Sequence, residues 1–156
     1  MNYHEPDSRW AGFDIHDYNS YFRTYLVKGL FHSVVPHEVK EAYSMAEYMM
    51  AFAWYHYPLY DEAFFKVLRI IEMAVKLRCQ QIDIQLRNTR LRNNKTVEET
   101  KMLQQLANEL RKAEPDKDLR ILTEIIPKLR NSIMHPVRHS FAGSSSYGAV
   151  KRCDTN

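Results

Sequence analysis

Residues 59–81 contain neither glycine nor proline, and their apolar side chains repeat with the period of an α-helix. The main stripe comprises Phe64, Val67, Leu68, Ile71, Ala74 and Val75. These positions are three or four residues apart, which places them on one helical face. Further apolar residues, Ile70, Met73 and Leu77, lie off that face. Because apolar residues cover more than one side, we expect this helix to be central in the fold.

Four other segments, residues 18–30, 37–57, 96–110 and 119–133, show the same helical period. Thr96 and Glu99 have the spacing of a capping box, which predicts that a helix begins there. Pro127 lies inside the last segment, so that segment must kink or restart with proline in its first turn. No stretch has the alternation of a strand. The sequence therefore predicts an all-α fold, a compact bundle of four to five helices.

The length of 156 residues suits a single domain, residues 1–156, with one sizeable core. Residues 1–17 have no clear period and are expected to form an irregular arm, and the Gly/Ser-rich end, residues 139–156, is expected to be a flexible tail. The formal net charge of +3 is mildly basic and does not by itself indicate nucleic acid.

The two cysteines, Cys79 and Cys153, have no metal-ligand spacing, so no metal or cofactor is expected. Cys79 falls in a helical period, which predicts a small buried apolar side chain. The sequence shows no signal peptide and no apolar run approaching a membrane span. A reducing cytoplasm is therefore the expected location, without contact to a membrane.

The last periodic segment ends in Arg130-Asn131-Ser132-Ile133-Met134-His135-Pro136, which is the strongest candidate for chemistry. Arginine is a permanent cation that suits phosphate, and histidine exchanges protons near neutral pH. Five residues apart, Arg130 and His135 do not share a face of an ideal helix. Two arrangements reconcile them. Either His135 lies just past the last helical turn, because a residue before proline avoids the α region, or the Arg and His of two subunits face one another.

A simpler interpretation makes Arg130 a solvated side chain and His135 a helix cap. Arg-to-His matches of this spacing arise by chance, and a second one runs from Arg9 to His16 in a segment without helical period. The context distinguishes the first match. Asn131 follows the arginine, an amphipathic segment ends there, and a proline follows the histidine.

The helical arrangement that ends in Arg130-Asn131-x-x-x-His135 resembles the HEPN family (higher eukaryotes and prokaryotes nucleotide-binding domains). Residues 68–78 look similar to the central helix of that family, and the likeness covers residues 36–137. The resemblance implies a HEPN-like helical bundle and a metal-independent endoribonuclease. It also implies a homodimer whose two motif helices meet at a two-fold axis. Arg130 and His135 would be the catalytic residues, with Asn131 as the accompanying polar residue.

The resemblance further implies RNA as the substrate, in a toxin–antitoxin, antiviral defence or RNA-processing system. An antitoxin or other regulatory protein would then be a partner. Some relatives carry a tyrosine two residues after the histidine, which a nucleotidyltransferase antitoxin modifies. Val137 stands at that position here, so this mode of neutralisation is not expected. Other relatives are catalytically silent nucleotide-binding or protein-interaction modules, which is the alternative function.

Glu72 lies in the middle of the apolar segment 59–81. A carboxylate at this place would orient Arg130 or His135 from behind the site. The alternatives are that it faces solvent or pairs with Lys76 one helical turn later.

Several basic residues are candidates for contacts with RNA. Lys128, Arg138 and His139 flank the motif and would extend a positive site. The basic stretch 87–95 breaks the helical pattern, and a solvated loop is the favoured interpretation, with RNA contact as the alternative. Its candidate RNA contacts are Arg87, Arg90, Arg92 and Lys95.

Overall fold

The computed structural model describes residues 4–92 and 95–134, and within these residues the fold is largely helical. A 3₁₀ helix, Ser8–Phe13, comes first. The elements that follow are α1 (Tyr18–Tyr25), α2 (His37–Phe52), α3 (Leu59–Gln81), β1 (Arg87–Arg92), β2 (Lys95–Thr100), α4 (Leu103–Ala113), a π-helical turn (Ile121–Ile125) and α5 (Ile126–Met134). The described residues divide into two compact units, one up to Ile70 and one from Ile71, with α3 contributing to both.

The first unit contains an aromatic cluster centred on Trp10. The indole ring is 2% exposed and lies edge-on against Tyr21, with 4.6 Å between the ring centroids. Its Nε1 donates a hydrogen bond to the carbonyl oxygen of Ala53 at 2.9 Å. Asp7 caps the 3₁₀ helix by accepting a hydrogen bond from the backbone of Arg9 at 3.1 Å. The segment expected to be an irregular arm therefore contains a short helix and supplies a core side chain.

Buried tyrosines connect the helices of the first unit through their hydroxyl groups. The Tyr21 hydroxyl donates to the carbonyl oxygen of Met50 in α2, and the Tyr60 hydroxyl donates to that of Tyr25 in α1 at 2.7 Å. Burial raises the pKa of Tyr21 well above its usual value. Each ring thus fills apolar space while its hydroxyl has a partner, as buried tyrosines require.

Helix α1 ends at Tyr25, earlier than the periodic segment 18–30 predicts. Beyond it, the backbone of Gly29 donates to Glu47 Oε1 in α2 at 2.6 Å. A Cβ atom on Gly29 would lie 2.7 Å from Cδ1 of Tyr43, so this glycine allows the chain to approach α2 closely. Leu30, which continues the apolar period past the end of α1, is 81% exposed.

The predicted limits of the longest helix are confirmed, because α3 runs from Leu59 to Gln81. Its C-terminal part packs in the second unit, where Cys79 is fully buried and its Sγ lies 3.9 Å from the carbonyl oxygen of Leu106 in α4. Burial raises the pKa of the Cys79 thiol. Cys79 is therefore the small buried apolar residue that its helical position predicted, while Cys153 lies outside the described residues.

Residues 87–92 and 95–100 pair as antiparallel strands, called the hairpin below, so the all-α prediction is wrong in this segment and the described fold is helical with a small two-stranded sheet. The favoured interpretation of a solvated loop is wrong about the loop for residues 87–92 and Lys95, which lie in strands, and the capping box at Thr96 and Glu99 is also wrong. Threonine and valine favour extended backbone, and Thr96-Val-Glu-Glu fits a strand as well as a helix start. Helix α4 begins only at Leu103, where Gln105 Oε1 accepts a hydrogen bond from the backbone of Met102 at 2.9 Å.

The segment restarts as α5 at Ile126, which is one of the two outcomes, kink or restart, that the proline predicts. The π-helical turn leads directly into α5, so Pro127 lies in the first turn of α5. Proline has no N–H for the carbonyl group four residues earlier, that of Thr123. Gln104 of α4 supplies the missing donor, because its Nε2 donates a hydrogen bond to the Thr123 carbonyl oxygen at 2.7 Å. The wider π turn shifts the helical phase, which explains why Ile125 is exposed although it fits the period of its segment.

Glu114 terminates α4 between two cations. Its Oε2 accepts a hydrogen bond from Arg78 Nε at 3.2 Å, and its Oε1 accepts one from Lys117 Nζ at 2.7 Å. These hydrogen bonds, that of Arg78 first, lower the pKa of Glu114 from 4.5 to about 2. The carboxylate therefore stabilises the folded state as long as it stays ionised.

The protein is expected to lose stability as the pH falls from about 4.5 to about 2, and Glu114→Gln should reduce that loss. The unfolded chain takes up the Glu114 proton at a higher pH than the folded chain does, so acid favours unfolding across this interval. The urea midpoints of the wild type and the variant are measured at intervals between about pH 6 and about pH 2 and compared. Asp7, whose pKa is also lowered to about 2, contributes equally to both. An identical pH dependence in the variant would contradict the assignment.

Candidate functional site

Arg130, the arginine of the motif, lies in α5 and forms an ion pair with Glu72 of α3. Its Nη2 is 3.2 Å from Glu72 Oε2. The other carboxylate oxygen, Oε1, accepts a hydrogen bond from Lys76 Nζ at 2.7 Å. Two of the contacts proposed for Glu72 are thus made at once: it reaches the motif arginine across the helices and pairs with Lys76 one turn later.

The burial of this cluster is uneven. The Glu72 side chain is 21% exposed and that of Arg130 39%. A guanidinium carries five N–H donors, and the Glu72 contact engages Nη2. The carboxylate therefore contacts one nitrogen of the guanidinium, while more than a third of the Arg130 side chain is exposed to solvent. Two cations surround one anion, which leaves a net positive charge suited to a phosphate group.

The position of Arg130 follows from the local sequence. Pro127 fixes where α5 restarts, and Ile126 anchors its first turn in the core at 1% exposure. Arg130, one turn after Ile126, lies toward the same side of the helix. Glu72 lies one turn before Lys76 on α3, so both side chains occur along one helical face. The π turn, Pro127 and the apolar anchor together set which residue of α5 reaches Glu72.

In the second Arg-to-His match, both side chains pair with acidic residues that are close in the sequence. Arg9 forms a bidentate ion pair with Asp7, with Nε to Oδ1 at 2.8 Å and Nη2 to Oδ2 at 2.7 Å. His16 Nε2 lies 3.1 Å from Asp14 Oδ1. These contacts explain both side chains as parts of the N-terminal segment, so the chance match carries no further argument.

The other predicted site residues have different outcomes. Lys128 is exposed on α5, two residues before Arg130. Asn131 lies in α5, and its side chain is outside the described part of the structure. His135, Arg138 and His139 also lie outside the described residues, so the Arg130–His135 arrangement stays a prediction.

The candidate RNA contacts in the hairpin are partly neutralised. Arg87 Nη1 lies 3.1 Å from Glu98 Oε2, and Arg90 Nη1 lies 3.9 Å from Glu99 Oε2. Sequence reasoning missed these pairs because it assigned Glu98 and Glu99 to a helix. Pairing the two segments as antiparallel strands would have indicated these ion pairs, because it places residues that are distant in sequence side by side. Arg92 lies at the end of β1, opposite Lys95.

Within residues 4–92 and 95–134, no group of three or more His, Cys, Asp or Glu side chains is arranged to hold a metal ion. No helix in the same residues combines the length and the apolar character needed to cross a membrane. No model of a known protein family, no curated protein and no solved structure matches this chain. The likeness to the HEPN family therefore rests on the motif and on the helical pattern.

Proposed function

We propose that this protein is a metal-independent endoribonuclease with Arg130 and His135 as its catalytic residues. One observation carries the proposal: Glu72 of α3 pairs with the motif arginine in α5, and part of the Arg130 side chain is open to solvent. The partner comes from another helix, α3, and so links the arginine to the body of the fold. A guanidinium that must meet a phosphate in one orientation benefits from it.

The proposed reaction needs only groups that RNA and the motif supply. The 2′-OH of the substrate attacks the adjacent phosphorus atom, and the bond to the 5′-oxygen of the next nucleotide breaks. One histidine accepts the proton of the 2′-OH, and a second donates a proton to the departing 5′-oxygen. Arg130 stabilises the negative charge that builds on the phosphoryl oxygens. The products are a 2′,3′-cyclic phosphate and a 5′-hydroxyl end.

The requirement for an acid and a base supports a homodimer. A single His135 has one imidazole, whereas two copies supply two, together with two guanidinium groups. The HEPN resemblance implies this composite arrangement, and it also resolves the five-residue spacing, because Arg130 and His135 need not share one helical face. In the proposed cellular role, toxin, defence or RNA processing, a regulatory protein restrains the activity.

The function is tested by incubating the purified protein with a panel of unrelated RNAs in the presence of EDTA. Wild-type protein should cleave them, and Arg130→Ala and His135→Ala should not. Sedimentation at micromolar concentration accompanies the assay, because the composite site requires a dimer. No cleavage of any RNA by the wild type, or equal cleavage by all three proteins, contradicts the proposal.

Glu72→Gln is expected to lower kcat for RNA cleavage by about tenfold, because a loosely held guanidinium is misplaced in the transition state. The free energy of unfolding should change by less than about 1 kcal/mol, since the ion pair is partly solvated. Lys76→Gln is the matched control, because it removes the other partner of Glu72 and leaves the Arg130 contact intact. A wild-type kcat for Glu72→Gln would assign the ion pair to structure alone.

A second candidate function, a catalytically silent interaction module, is favoured by the surface of α2. Met45, Tyr48 and Phe52 are more than half exposed and are spaced three and four residues apart along this helix. Large apolar side chains on one exposed helical face are typical of protein–protein contacts. This function predicts saturable binding of a partner without turnover, and binding that tolerates His135→Ala.

A further inference from the structure

The β1–β2 hairpin extends into solvent. Every residue of β2 is exposed, as are Arg87, Arg90 and Leu91 in β1. Isolated two-stranded hairpins are only marginally stable, so cross-strand pairs matter for a hairpin of this kind. The Arg87–Glu98 and Arg90–Glu99 ion pairs supply part of that support.

The register of the hairpin separates its charges onto two faces. Residues alternate between faces along a strand, and cross-strand partners share a face. Arg87 pairs with Thr100, Thr89 with Glu98, and Leu91 with Thr96, so one face carries a single cation and a single acid. The other face comprises Asn88, Arg90, Arg92, Lys95, Val97 and Glu99. That face, called the basic face below, carries three cationic residues and one acid.

The spacing on the basic face is regular. Arg90 and Arg92 are two residues apart, which corresponds to about 6.8 Å along a strand, and Lys95 lies opposite Arg92 in the register. The one acid, Glu99, lies at the other end of β2 from Lys95, and its Oε2 is 3.9 Å from Arg90 Nη1. Two of the three cationic positions, Arg92 and Lys95, are therefore the pair that lies farthest in the register from Glu99.

The composition of the basic face selects among possible ligands. Val97 is its only apolar residue, and no aromatic residue occurs anywhere in residues 87–100. Protein interfaces have apolar, often aromatic, centres, whereas nucleic-acid interfaces are polar and positively charged. Without aromatic platforms for bases, contacts to phosphate dominate, and such contacts carry no sequence preference.

We propose that the basic face of the hairpin is an RNA-binding site, separate from the Arg130 cluster, that holds the phosphate backbone of RNA without regard to sequence. The choice of RNA as the nucleic acid rests on the proposed function. The site would hold substrate strands near the nuclease, and the face bearing Arg87 would contribute little, because Glu98 neutralises it.

The test measures binding apart from cleavage, using fluorescently labelled 2′-O-methyl RNA of mixed sequence, which lacks the proposed nucleophile. Lys95→Gln removes a cation from the basic face, and Arg87→Gln, the matched control, removes one from the other face. The slope of log Kd against log salt concentration should fall by about 0.7 for Lys95→Gln and by much less for Arg87→Gln. Circular dichroism verifies that both variants fold.

Two acidic residues give a complementary pair of variants. Glu99→Gln removes the acid of the basic face and should tighten RNA binding severalfold, and by more than Glu98→Gln, which frees only the single cation Arg87 on the other face. Equal effects of Lys95→Gln and Arg87→Gln, or competition by poly-glutamate as strong as that by RNA, would overturn the proposal. Because binding and cleavage are measured separately, binding without any cleavage of natural RNA would refute the nuclease and leave this site standing.

Discussion

Replacing His135 by alanine is expected to lower the rate of RNA cleavage by at least about 100-fold. A positioned acid or base contributes about 10²–10⁴ to a rate, and in the proposed composite site one substitution removes both imidazoles. Single-turnover cleavage of a labelled RNA in EDTA measures the effect without interference from product release. His56→Ala is the matched control, because His56 is exposed and lies outside the motif.

The same assay separates charge from geometry at Arg130. Arg130→Lys keeps the positive charge but loses the planar fork that can meet phosphate through two parallel hydrogen bonds. A large loss of cleavage rate for Arg130→Lys, close to that for Arg130→Ala, is therefore expected.

Cleavage by His135→Ala at the rate of the His56→Ala control would show that the motif histidine takes no part in the reaction.

Trp10→Ala is expected to lower the free energy of unfolding by about 3–5 kcal/mol, the usual loss on truncating a buried aromatic residue. The substitution removes the ring that contacts Tyr21, leaves a cavity, and leaves the carbonyl group of Ala53 without the indole donor. Urea unfolding followed by circular dichroism measures the loss. Phe13→Ala is the control in the same 3₁₀ helix, and it should cost much less because Phe13 is partly exposed. A loss below about 1 kcal/mol for Trp10→Ala would mean that residues 1–17 are a dispensable arm.

The helices that sequence reasoning located best are those with an uninterrupted apolar period. Helix α3 matches its predicted limits, because no glycine or proline between Leu59 and Gln81 offers an earlier end. The restart at Pro127 was also foreseen, since proline's missing N–H is a local property. Both features depend on residues close together in the sequence.

The errors of prediction occur where distant residues decide the structure. Thr96 and Glu99 satisfy a helix-start pattern, yet pairing with Asn88 and Leu91 makes them part of a strand. Trp10 lies in a segment without period, and its burial depends on Tyr21 and Ala53 far along the chain. No local pattern contains these partners, so periodicity could not find them.

In the candidate site, too, the local features were predictable from the sequence and the contacts between distant residues were not. The motif and Glu72 were identified from residue types and from their places in the helical period. The contact between Glu72 and Arg130 was only one of several options, because it depends on how α3 and α5 pack. The charge separation of the hairpin needed the strand register, which the sequence alone did not provide.

The proposed chemistry is tested most directly by an RNA that carries a single 2′-deoxy nucleotide at a mapped cleavage position. Because the nucleophile is the 2′-OH of the substrate, cleavage at that position should cease, while neighbouring positions are still cut and yield 2′,3′-cyclic phosphate ends. Undiminished cleavage at the deoxy nucleotide would contradict the mechanism, since the attacking group would then have to come from water or from the protein.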